Sequence, residues 1–127
     1  MANGTIAFDT LQTSDLANTG TSKTIDTSFL FNGTGKLWMN LDGSTFGIGD
    51  SFNMTSATDN GTGDYTGTIA NDMANTEWAL TAHSGQAVNR TESDVTAAAF
   101  EIHTFAQDGS TKGDTGRVMV AGHGDLA

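Results

Sequence analysis

Thr58-Asp59-Asn60-Gly61-Thr62-Gly63-Asp64-Tyr65-Thr66 lies between two stretches in which apolar and polar residues alternate. Asn-Gly is the strongest short hairpin signal, because both residues tolerate positive φ. Asn60 and Gly61 are therefore read as the centre of a type I′ turn joining two antiparallel strands. Upstream, Phe52, Met54 and Ser56 carry the alternation into the turn; downstream, Tyr65, Gly67 and Ile69 carry it away.

The period of two extends outward in both directions. From Lys36, the residues Leu37, Met39 and Leu41 share one face, and Lys36, Trp38, Asn40 and Asp42 share the other. Trp78, Leu80 and Ala82 fall together. Ala97 to Ala106 reads as a long strand, with Ala98, Phe100 and Ile102 on one side and Ala99, Glu101, His103 and Phe105 on the other. Arg117 to Ala121 reads as the last strand, with Val118 and Val120 inward. Residues 85–96 read as a polar loop, and 108–114 as a hairpin loop. No strong helix signature is found. Ser93 could cap a helix, but Phe100 to Phe105 fits a strand better. The expected fold is all-β: an antiparallel β-sandwich, jelly-roll or Ig-like, of about seven or eight short strands.

Residues 1–28 are rich in Thr, Ser, Asn and Asp, with Ile6, Phe8 and Leu11 as sparse apolar anchors. Thr5 to Asp9 alternates like a strand, Ser14 to Ala17 suits one helical turn, and Asn18 to Ser22 suits a loop. The expected organisation is an extended N-terminal segment over 1–28, suited to docking or strand exchange, and a β-sandwich domain over 29–127. Sparse anchors leave backbone groups in search of partners, and a neighbour's sheet edge could supply them.

The chain has 127 residues, 36% of them apolar, 16% charged and 16 of them Gly. This balance suits a β-protein with many turns, or one that completes its core with neighbouring subunits. Cysteine is absent, which excludes disulfides and thiolate metal sites and is compatible with folding in a reducing cytoplasm. There is no signal peptide and no apolar run of about 18 residues. A net charge of −10 argues against nucleic acid or an anionic membrane as partner.

Three strings carry a resemblance: Lys36-Leu37-Trp38-Met39-Asn40, Asp50-Ser51-Phe52-Asn53, and Asp59 to Thr66. Together with the closing Gly124-Asp125-Leu126-Ala127, they resemble a domain of tail-fibre and other virion structural proteins of tailed bacteriophages, marine ones especially. The resemblance covers roughly Gly35 to Ala127. It implies a non-enzymatic structural protein of the virion, made in the host cytoplasm. Other virion proteins of the capsid or tail, and further copies of the chain with a trimer favoured, are the implied partners. In longer relatives the N-terminal region would follow an attachment domain. Here it begins at Met1, so a free-standing protein is expected, which also fits a capsid decoration or cement role.

Candidate chemistry is sparse. Histidines fall at 83, 103 and 123, each on or beside a strand, and read as hydrogen-bonded strand residues; no metal ligand set and no cofactor are assigned. Asp59 to Asp64 lacks the ligand spacing and the bidentate Glu of a calcium loop. Glu77 and Glu101 are the strand-borne glutamates, with nothing to set a glycosidase separation. Asn32 to Leu37 ends in Gly-Lys but is not a phosphate loop. No Gly-x-Ser-x-Gly elbow or cysteine nucleophile occurs, so no catalytic residue is assigned. Trp38 and Trp78 read as core or subunit-interface residues. If Leu37, Met39 and Leu41 face the core, Trp38 faces away, which argues for a second packed layer or a partner. The candidate interface is Ile6, Phe8, Leu11, Trp38 and Trp78. The alternative function is a carbohydrate-binding module for a host-surface glycan, using Trp38, Trp78 or residues 85–96.

Overall fold

A computed structural model describes residues 9–12, 24–85, 88–90, 95–106 and 108–127. The chain divides into two compact units, Met1–Thr34 and Gly35–Ala127. In the first, β1 (Thr10–Gln12) and β2 (Thr24–Asp26) pair antiparallel, with Leu11 opposite Ile25. A short helix, α1 (Thr27–Gly33), follows directly. Its N-cap is Asp26, whose Oδ1 accepts from Ser28 N–H at 2.7 Å, satisfying one of the free donors of the first turn. This helix was not expected, and it straddles the 28/29 boundary read from composition; the units part at Thr34/Gly35 instead. Asp26-Thr27-Ser28 was the available cap signal, too short a cue beside a seven-residue helix with no buried side chain. The alternation at Thr5 to Phe8, the anchors Ile6 and Phe8, and the helical turn and loop expected over 14–22 lie outside the described residues.

The second unit carries two four-stranded antiparallel sheets. The first has the order β4–β3–β10–β7, built from β3 (Leu37–Asp42), β4 (Gly47–Phe52), β7 (Ala79–Ser84) and β10 (Val118–His123). The second has the order β5–β6–β9–β8, built from β5 (Met54–Gly61), β6 (Asp64–Ile69), β8 (Val88–Arg90) and β9 (Ala99–Phe105). The fold is all-β, as the alternation implies. Leu37, Met39, Leu41, Val118 and Val120 of the first sheet share one buried cluster with Tyr65, Ile69, Phe100 and Ile102 of the second. Period-two alternation puts these side chains on the inner faces of a sandwich. Among the described residues no helix is long and apolar enough to cross a membrane.

The chain changes sheets at Asn53, which has φ 58°. Its Oδ1 accepts from Asn71 N–H at 2.8 Å and its Nδ2 donates to Asn71 O at 3.1 Å. The alternation from Phe52 to Met54 therefore does not run through one strand. Phe52 ends β4 facing solvent, and Met54 opens β5 against the core.

The hairpin exists, but its turn is not the Asn60-Gly61 type I′ turn. Gly61 pairs with Asp64, leaving Thr62-Gly63 as the loop, and the register shifts between Asp59 and Gly61. Positive φ occurs at Gly61 (131°) and Gly63 (63°), not at Asn60. The cause is local: Asp59 Oδ1 accepts from Gly61 N–H at 2.9 Å, and Asn60 Nδ2 donates to Thr66 Oγ1 at 2.8 Å. These side-chain bonds make Asn60 part of a bulge. Residues 85–96 also hold a strand: β8 pairs Val88 with Phe105 and Arg90 with His103.

Candidate functional site

The first sheet's outer face carries three of the exposed large apolar side chains, Trp38, Phe52 and Met119. Trp38 stands opposite Phe52 on β4 and opposite Ala121 on β10, and Thr81 of β7 continues that row. The adjacent row runs Asp50, Asn40, Met119, His83. Trp38, Phe52 and Met119 are 43%, 55% and 40% exposed. Same-face neighbours on paired strands lie close enough to touch or share a ligand, so these three side chains form one patch beside Asn40 and Asp50. The strand period that buries Leu37, Met39 and Leu41 is what turns Trp38 outward.

Trp78 belongs elsewhere. It is 8% exposed, stacks edge-on against Phe100 at 6.1 Å, and donates from Nε1 to Thr96 O at 3.0 Å. It is a core residue with its polar atom satisfied, which removes it from the candidate interface. Leu11 is half exposed on β1.

The outer face of the second sheet brings together polar residues that the sequence kept apart. Asp64 and His103 face each other in the β6–β9 register, and Glu101 lies two residues before His103 on the same side. His103 Nε2 is 2.9 Å from Glu101 Oε1 and 3.2 Å from Asp64 Oδ2. Lys112 Nζ donates to the same Asp64 oxygen at 2.7 Å. Lys112 is carried there by the bridge Phe105–Lys112 and by a loop that Asp108 closes through Ser110 N–H (3.0 Å) and Thr111 N–H (3.1 Å). Partial burial pushes the Asp64 carboxyl up, but bonds from Lys112 and Asn60 and the charge of His103 outweigh it and hold it below its ordinary value. Asp108 is lowered to about 2 by the N–H donors of Ser110 and Thr111. The faces of Glu101 and His103 were readable from alternation; Asp64 and Lys112 needed the register and the loop path.

His83 and His123 are exposed, while His103 is buried. Among the described residues, the group Asp64, Glu101 and His103 is the one with three potential ligand atoms within 4.8 Å of one another. The three histidines therefore do not form a common cluster. In the Asp59–Asp64 string, Asp59 serves the local turn, whereas Asp64 is directed to Lys112 and His103.

No model of a known protein family matches this sequence, and neither curated proteins nor solved structures give a match.

Proposed function

We propose that this chain is a non-enzymatic structural module of a tailed-bacteriophage virion, sited on a tail fibre or on the head, that self-associates and docks on other virion proteins. The reading rests on the resemblance over Gly35 to Ala127 and on one structural observation: the outward patch of Trp38, Phe52 and Met119. Large apolar side chains grouped on a solvent face mark a surface that a partner covers. The surrounding polar residues Asn40 and Asp50 form a rim able to fix register. Virion or head assembly supplies both kinds of partner, a further copy of the chain and a neighbouring structural protein.

The test is the mass of the purified protein in solution, followed by incubation with isolated, undecorated heads. A stable trimer that ignores heads supports the fibre site. A monomer or weak oligomer that saturates heads at fixed stoichiometry supports decoration. A monomer that binds neither heads nor tails overturns the reading.

A second reading, glycan binding, is favoured by one feature of the same patch. An exposed indole beside an Asn and an Asp is the pairing of stacking face and hydrogen-bonding groups that a sugar ring uses. Trp78 takes no part in it, being buried. Saturable oligosaccharide binding abolished by Trp38→Ala, with head binding absent, would favour this reading over assembly.

A further inference from the structure

We propose that Asp64, Glu101 and His103 form a binding site for a first-row divalent metal ion, with Zn2+ the best match, and that Lys112 is the built-in competitor for it. The proposal is independent of the virion reading. Its ground is the convergence of one imidazole nitrogen and two carboxylate oxygens within 4.8 Å, on two hydrogen-bonded strands.

The geometry suits a small ion. Zinc binds imidazole and carboxylate at about 2.0–2.2 Å, so two tetrahedral ligands on one ion lie about 3.4 Å apart. The two separations from His103 Nε2, 2.9 Å and 3.2 Å, need only small side-chain adjustments to reach that value. The strands hold the donors in place: Asp64 and His103 are register partners, and Glu101 and His103 are alternate residues of one strand. The His103 ring also packs edge-on against Phe105 at 6.4 Å. Glu101 and Asp64 side chains are 28% and 20% exposed, which leaves a side open for water to complete the shell.

The donor set sets the class of ion. An imidazole with two carboxylates suits Zn2+ and its first-row neighbours. Ca2+ takes six to eight oxygens, more than this group offers. Lys112 makes the proposal specific. Its ammonium sits on Asp64 Oδ2, the oxygen that also approaches His103 Nε2. A divalent ion bound there takes over that oxygen, and the ammonium, whose side chain is 38% exposed, moves into solvent. Removing the lysine therefore strengthens metal binding, the opposite of what a purely structural lysine would do.

The experiment is titration of the full chain with Zn2+ by calorimetry, repeated with Co2+ followed by its visible absorption. The wild type is expected to bind one ion per chain and to melt higher as the ion is raised. Glu101→Gln, which keeps shape, and His103→Ala are each expected to weaken binding by at least about tenfold, the scale seen for groups around metal sites. Lys112→Met is expected to tighten it, and His123→Ala to leave it unchanged. Circular dichroism identifies any variant that fails to fold, and Glu101→Gln then decides. Absence of saturable one-to-one binding overturns the proposal. So does binding that Glu101→Gln leaves unchanged, or binding that Lys112→Met weakens.

Discussion

The Tyr65 hydroxyl donates to Asp114 Oδ1 at 2.9 Å, and the same oxygen accepts from Gly63 N–H at 2.6 Å. One carboxylate oxygen thus ties the tip of the β5–β6 hairpin and the centre of the sandwich to the segment leading into β10. Burial, followed by the nearby Asp114, pushes the Tyr65 pKa well above the ordinary 10.0, so the hydroxyl stays a donor. Removing it leaves the contact one bond short inside the protein. Tyr65→Phe is expected to lower stability by about 1–2 kcal/mol, read as a shift in urea midpoint at constant m-value. An unchanged midpoint would show that the hydroxyl is not used.

The two positive-φ glycines of the hairpin differ in their surroundings. A Cβ on Gly63 would lie 2.5 Å from Thr104 O and 2.7 Å from Gly113 N, both backbone atoms, whereas one on Gly61 meets open space. Gly61→Val is expected to cost about 1–3 kcal/mol through backbone strain alone. Gly63, at φ 63°, sits in the milder left-handed region, but its Cβ would clash with backbone atoms that cannot swing aside, so Gly63→Ala is expected to cost more. Thermal melts of the two variants check the ordering, and a milder Gly63→Ala would contradict it.

The tryptophans give a contrasting pair. Trp78→Ala empties a core position and is expected to cost about 3–5 kcal/mol. Trp38→Ala is expected to leave the melt nearly unchanged while weakening self-association or docking. Sedimentation of both variants distinguishes the roles; an assembly state indifferent to Trp38→Ala would remove the outer face from consideration.

Acid should loosen the fold through its hydrogen-bonded carboxylates. Asp108, Asp42 and Asp26 are lowered chiefly by hydrogen bonds from nearby backbone or side-chain groups, and Asp64 is lowered as well. A carboxyl depressed in the folded state contributes stability above its unfolded value of 3.8 and loses it as pH falls toward the folded value, about 2 for Asp108. Stability measured downward from neutrality is thus expected to hold to about pH 4 and then fall. In Asp108→Asn the acid limb should be shallower; an identical limb would exclude Asp108 as a contributor.

Period-two alternation made the sandwich legible, because burying one face of each strand is what writes that period into a sequence. Leu37, Met39, Leu41, Val118 and Val120 are core residues for that reason. The hairpin was located correctly but its turn was misassigned by two residues. Side-chain bonds from Asp59 and Asn60 override the bare preference of Asn-Gly for positive φ. The helix α1 was missed because it buries nothing and so imposes no apolar period. The cluster around His103 was only half visible: alternation gives a residue's side of a sheet, but not which residue of another strand stands beside it.

The placement of the two tryptophans on opposite sides of the first sheet has a practical consequence. Trp78 lies in the core and Trp38 in solvent, so their emission reports separate events. A soluble quencher should reach Trp38 alone in the free protein. A blue shift without unfolding then signals that its face has been covered, and a red shift signals that Trp78 has been released. The unlabelled protein carries its own fluorescent gauge for folding and for assembly, with one tryptophan assigned to each.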